Sequence, residues 1–226
     1  MQRRLLRRIA YLRRNRCSGL LAALFVVILV EPALVGSRWG AISLSLGVVA
    51  ILLVAVWALR VQRMMFWIAG LLALLMVHAV VVDRLGEHWL RPVTFAAIAV
   101  FMGVVTVSLL RYVLDWHPIS TDKVFGAVSA YVLIAFTFAS LYGLLQMVET
   151  HSFHVAFAMG PDDYLGWADM VYFSFTVLTS TGFGEITPAS GLARSLIVVE
   201  QVIGVMYVAF LIARLANLYG AHQHRR

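Results

Sequence analysis

Residues 179–188 read Thr-Ser-Thr-Gly-Phe-Gly-Glu-Ile-Thr-Pro. Apolar segments lie on both sides of this stretch, at about 124–147 and 192–218, and each is long enough to cross a bilayer. Two glycines flank one aromatic, hydroxyl residues come before and a carboxylate follows. Gly182 and Gly184 open backbone angles closed to other residues. Irregular backbone at membrane depth is tolerated only where protein or a water-filled pathway surrounds it. The stretch therefore suits a backbone whose carbonyls replace the hydration shell of a cation. Ser180, Thr181, Gly182 and Phe183 would supply stacked carbonyl oxygens, and the Ser180 hydroxyl a further ring at the inner end. The apolar stretch at about 167–179 is too short to span. It reads as a re-entrant helix whose C-terminal end, carrying partial negative charge, would point at the ion path.

Composition points the same way. The 226 residues are 62% hydrophobic and 13% charged, against about 45–50% apolar in soluble domains. Four more apolar segments, at about 18–35, 41–59, 64–82 and 93–110, bring the expected spans to six. The expected fold is an all-α integral membrane protein with six transmembrane helices, and a re-entrant pore helix and filter between helices five and six. The chain divides on this reading into a basic cytoplasmic arm (1–17), a four-helix transmembrane bundle (18–118), a pore domain (119–219) and a short cytoplasmic tail (220–226).

The net charge of +7 does not mark a nucleic-acid partner. Seven arginines fall in the first sixteen residues (Arg3, Arg4, Arg7, Arg8, Arg13, Arg14 and Arg16) and an apolar run follows directly. Such an arm faces anionic lipid on the cytoplasmic side. With both termini inside, Arg60, Arg63, Arg111, Lys123, Arg214, Arg225 and Arg226 also fall on that side. Only Arg38, Arg84, Arg91 and Arg194 fall outside. Trp39, Trp89 and Trp167 then lie at outer ends, and Trp57, Trp67 and Trp116 near inner ends, as interfacial belts. The first run ends at Glu31-Pro32 without a small-residue cleavage pattern, so it reads as a retained helix rather than a signal peptide. The lone cysteine, Cys17, excludes an intrachain disulfide and reads as a membrane-boundary residue rather than a lipid-attachment site. Ser120 or Thr121 is expected to cap the fifth span.

Residues 120–219 resemble the pore-loop potassium channel superfamily, in particular small bacterial channels. The family's T-V-G-Y-G-D is here Ser180-Thr181-Gly182-Phe183-Gly184-Glu185. Tyr172, Phe173 and Phe175 are similar to the aromatic cuff that braces the filter. Gly204 falls where the family's inner-helix gating hinge lies. The resemblance implies a homotetramer in a bacterial inner membrane, permeant K⁺ held by filter carbonyls alone, and no other cofactor or metal. Three departures leave open whether Na⁺ also passes: Thr181 for Val, Phe183 for Tyr and Glu185 for Asp. Gly-Phe-Gly does occur in K⁺-selective members.

Five acids and no Lys or Arg lie between Glu149 and Ser190. Among them Glu185 and Asp169 are expected nearest the outer mouth, where they would concentrate cations. Glu200 lies inside the sixth span, one turn before Gly204. A membrane-embedded carboxylate is a functional candidate by default. It either faces the cavity as a cation site or sits behind the filter against the pore helix, and the offset from Gly184 favours the second. A buried acid there would make conduction pH-sensitive. Segment 93–110 holds no charged residue, so no arginine ladder of a voltage sensor is expected. His78 reads as a packing residue, and His151 and His154 as solvated loop residues. No nucleotide loop, paired general-acid carboxylates or Ser-His-Asp order points to an enzyme. Two other classes remain: a transporter subunit with degenerate pore loops, and a non-conducting scaffold in which Gly-Phe-Gly is only a tight turn.

Overall fold

The computed structural model describes residues 16–34, 70, 91–115, 120–156 and 165–223. Its elements in chain order are α1 (Arg16–Leu34), α2 (Arg91–Leu114), α3 (Thr121–Val148), β1 (Phe153–Val155), α4 (Trp167–Leu178), β2 (Ile186–Pro188) and α5 (Gly191–Gln223). The protein is mostly helical. Among the described residues three helices are long and apolar enough to cross a membrane: Phe95–Leu114, Thr121–Val148 and Gly191–Arg214. In α1 the apolar stretch Cys17–Val30 is shorter. The expected spans at 41–59 and 64–82 lie outside the described residues, as do Arg3 to Arg14, His78, Trp39, Trp57, Trp67, Trp89, Trp116, Asp162 and Asp163. The count of six spans is therefore coarser here: a helical membrane protein with three such helices described.

The helices match the hydrophobic segments that announce them to within a few residues, α2, α3 and α5 running beyond them. Helix α2 starts at Arg91, so Pro92 falls in its first turn, where a missing N–H is harmless. Helix α1 continues through Pro32 to Leu34. Helix α3 starts where expected: the Ser120 hydroxyl accepts the Lys123 N–H at 3.3 Å, an N-cap bond.

Two compact units divide the chain at Leu144, within the last turns of α3. In the first, Met1–Leu144, α2 and α3 run antiparallel. Val113 approaches Gly126, the Thr106 and Thr137 hydroxyls lie 3.3 Å apart, and Phe95 lies over Gly143. A Cβ at Gly143 would meet the Phe95 ring at 2.2 Å, so glycine is needed for that approach. Helix α1 is fastened by Asp122, which accepts the Cys17 N–H at 2.8 Å and the Tyr112 hydroxyl at 2.8 Å. Cys17 is 1% exposed. That burial fits packing and gives a lipid-transfer enzyme no access.

The second unit, Leu145–Arg226, holds α4, α5 and a two-stranded antiparallel sheet. Phe153 pairs with Pro188, His154 with Thr187 and Val155 with Ile186. Phe153 meets Phe173 of α4 edge-on at 5.5 Å, which links the ribbon to the short helix. Helix α5 begins at a Ser190 cap, whose hydroxyl accepts the Ala193 N–H at 3.2 Å. It buries a narrow seam of Ala193, Ile197, Glu200 and Gly204, spaced three and four residues apart, while Val198, Val202, Val205 and Met206 stay exposed. Exposed aliphatic surface of that extent suits lipid or further protein.

Candidate functional site

Helix α4 ends at Leu178, and the chain then leaves the helical ladder in an ordered way. Thr179 N–H donates to Phe175 O at 3.1 Å and Ser180 N–H to Val177 O at 2.9 Å. The next two amides, Thr181 and Gly182, both donate to Thr176 O, at 2.8 and 3.2 Å. Two successive N–H groups aimed at one oxygen form a nest, the product of alternating left- and right-handed residues. The backbone angles agree: φ is +56° at Ser180, +55° at Gly182 and +85° at Gly184, and is not positive at Thr181 or Phe183. In such a run the amides gather on one side and the carbonyls on the other. Here the amides of Thr181 and Gly182 are tied to Thr176 O of α4.

Ser180 departs from the usual chemistry. A non-glycine residue in the left-handed region costs roughly 1–2 kcal/mol, and such strain gathers at functional sites. The two glycines in the stretch announce their positions by composition; Ser180 does not. Its positive φ follows only from the strict alternation, which extends the pattern one residue further inward.

The side chains of 179–185 find partners too. Thr179 Oγ1 donates to Phe175 O at 2.7 Å and lies 2.8 Å from Thr181 Oγ1. With its own proton on Phe175, Thr179 accepts from Thr181. The hydroxyl at the place of the family's valine is thus joined to the pore helix. At the outer end Glu185 Oε2 accepts the Tyr172 hydroxyl at 2.8 Å, and the Tyr172 ring lies parallel to Phe183 with centroids 6.4 Å apart. That bond pushes the Tyr172 phenol above its ordinary value. Glu185 O accepts the Ala156 N–H at 2.8 Å, which fastens the end of the stretch to the chain beyond β1. Of the three cuff candidates, Tyr172 lies parallel to Phe183, while Phe173 is buried against Phe153.

Residues 130–220 match a family model described as "Ion channel". The match supports a likeness of this part of the chain to the pore-loop ion-channel superfamily. Two curated relatives align over the same length scale. Protein LctB of Geobacillus stearothermophilus is 29% identical over 123 residues, which cover 50% of this chain and 91% of the relative. Protein LctB of Bacillus caldotenax is 29% identical over 121 residues, covering 51% and 87%. No solved structure matches.

Within the channel segment the remaining candidates take distinct places. Asp169 Oδ2 accepts the Gly166 N–H at 2.8 Å, so this acid caps the N-terminus of α4, where negative charge is favoured. Glu200 has no exposed surface, and its Oε1 accepts the Ser174 hydroxyl of α4 at 2.5 Å. Gly204 lies against the end of the pore helix, where an added Cβ would come 2.2 Å from Leu178 O. Helix α5 is unbroken through Gly204. His151 and His154 are exposed, and among the described residues no group of His, Cys, Asp and Glu is arranged to hold a metal ion. Sequence reasoning missed the Ser174 and Leu178 partners, because hydropathy along α4 gives no sign of which side meets α5.

Proposed function

We propose that four copies of this chain form a K⁺-selective channel that passes ions passively across a bacterial inner membrane, with both termini cytoplasmic and the N-terminal arginines on anionic lipid. The observation that carries the reading is the alternating backbone of 180–184, with its amides tied to Thr176 O. Carbonyls on the opposite side, repeated about a four-fold axis, replace a cation's hydration shell in successive rings. A single re-entrant loop encloses no path, so the site is complete only in a closed ring. Glu185 lies at the outer end of the filter, and its bond from Tyr172 supplies a brace where Phe183 has no hydroxyl of its own.

The deciding experiment is the reversal potential of reconstituted protein with K⁺ on one side and Na⁺ on the other. K⁺ selectivity predicts a large displacement toward the K⁺ equilibrium potential. A value near zero supports the second reading, a channel passing both ions, which the threonine at 181 favours. Gly182→Ala is the control. Its φ of +55° is unfavourable for alanine, so the current should fall or change selectivity; a current identical to wild type means that the ions take another path.

A further inference from the structure

Glu200 is among the largest side chains with no exposed surface, and it stands in the middle of an apolar helix. An acid so placed is expensive to keep. Its oxygen meets Ser174 at 2.5 Å. One turn later along α5, Gly204 meets Leu178, one turn later along α4. The two contacts therefore share one register, with residues four apart on each helix. Between Ser174 and Leu178 lies Thr176, whose carbonyl holds the amides of Thr181 and Gly182.

We propose that Glu200 is a filter-positioning residue: acting through Ser174, and in register with the notch at Gly204, it fixes the pore helix against the inner helix and so holds the carbonyls of 180–184 in place. The inference deepens the channel reading and rests on it. The two contacts do different work. A glycine notch sets how near two backbones come, but apolar surfaces in contact still slide. The hydrogen bond adds direction. A slip of one helical turn, about 5.4 Å, separates the buried carboxyl from its Ser174 donor, and losing a buried hydrogen bond is costly. With Ser174 and Leu178 both held, the carbonyl of Thr176 has little freedom, and the two filter amides share it. Movement of α5 therefore reaches the filter through the Glu200–Ser174 hydrogen bond, the last turn of α4 and the carbonyl of Thr176. On this account Gly204 is glycine for the sake of close approach.

The test uses full-length reconstituted protein in five forms: wild type, Ser174→Ala, Glu200→Ala, the double variant and Glu200→Gln. Two readouts are taken, the K⁺/Na⁺ permeability ratio and amide exchange across residues 176–186. Each alanine variant should lower the ratio about fivefold, as expected for one buried hydrogen bond. The double variant should be no worse than the worse single one, because both delete the same link. Glu200→Gln keeps an acceptor oxygen and should restore most of the ratio. Exchange at Thr181 and Gly182 should quicken in the alanine variants and not in Glu200→Gln. Losses that add in the double variant, or an unchanged ratio with unchanged exchange, overturn the proposal. If wild type itself does not select K⁺, the selectivity reading fails while exchange still judges the clamp. Ser174→Ala, which deletes a single oxygen, decides if Glu200→Ala does not assemble.

Discussion

Gly182, Gly184 and Gly204 are glycines for two different reasons. The first two hold positive φ in open space, and the third holds an ordinary helical angle in no space. Substitution separates the reasons. Gly204→Ala puts a methyl 2.2 Å from a backbone oxygen, and overpacking of that kind typically costs about 1–3 kcal/mol. The melting temperature of the detergent-solubilised protein should fall. Gly191, with nothing within 4 Å of an added Cβ, is the control; Gly191→Ala should leave melting unchanged or slightly raised. Equal melting of the two variants means that the notch is not occupied as described. At this scale the sequence was informative where chemistry is exclusive. Gly-Phe-Gly announced positive φ because few residues accept it. Ser180 was silent because a serine gives no such sign. The charge of Asp169 shows in the sequence, and the Gly166 N–H that it accepts does not.

Hydropathy located the described helices to within a few residues, because a helix in lipid needs a run of apolar side chains and little else. The same fact hides which face packs. Lipid is as apolar as leucine, so α3 and α5 need no polar side, and the seam of Ala193, Ile197, Glu200 and Gly204 leaves only its acid to be noticed. The polar ties between helices were equally hidden. Asp122 holds the start of α1 through the Cys17 amide and α2 through Tyr112. Asp122→Ala leaves two donors without that acceptor, at about 1–3 kcal/mol each. Local opening of α1 should then expose Cys17, and a maleimide should label this sole thiol about tenfold faster. Asp122→Asn keeps an acceptor oxygen and should label more slowly than Asp122→Ala. Labelling at the wild-type rate in Asp122→Ala would mean that the apolar contacts of α1 suffice.

The charges of the whole chain are unevenly placed: arginines crowd the first sixteen residues, and five acids with no Lys or Arg lie in 149–190. In a four-fold assembly such acids sum to a field that raises local cation concentration. Glu185, beside the filter, should contribute most. Glu185→Gln should lower single-channel conductance at low ionic strength, where the Debye length is about 30 Å at 0.01 M. The difference should shrink as salt rises. A deficit that persists at high salt assigns Glu185 to bracing through Tyr172 instead, and Tyr172→Phe should then reproduce it. Native mass measurement of the solubilised protein should give four chains; a stable monomer that still conducts removes the basis for a shared path.

The stretch between the pore helix and the ribbon is fastened twice. Its inner end hangs on Thr176 O through the amides of Thr181 and Gly182, and its outer end is tied at Glu185 O and by the pairing of β2 with β1. Between two fixed points the number of residues is itself a constraint. One residue more or fewer would reverse the alternation of backbone handedness beyond that point or tear one fastening loose. Side chains at 181, 183 and 185, where φ is not positive, are therefore open to exchange in a way that length is not: divergence there should proceed by substitution, while insertions and deletions gather elsewhere in the chain.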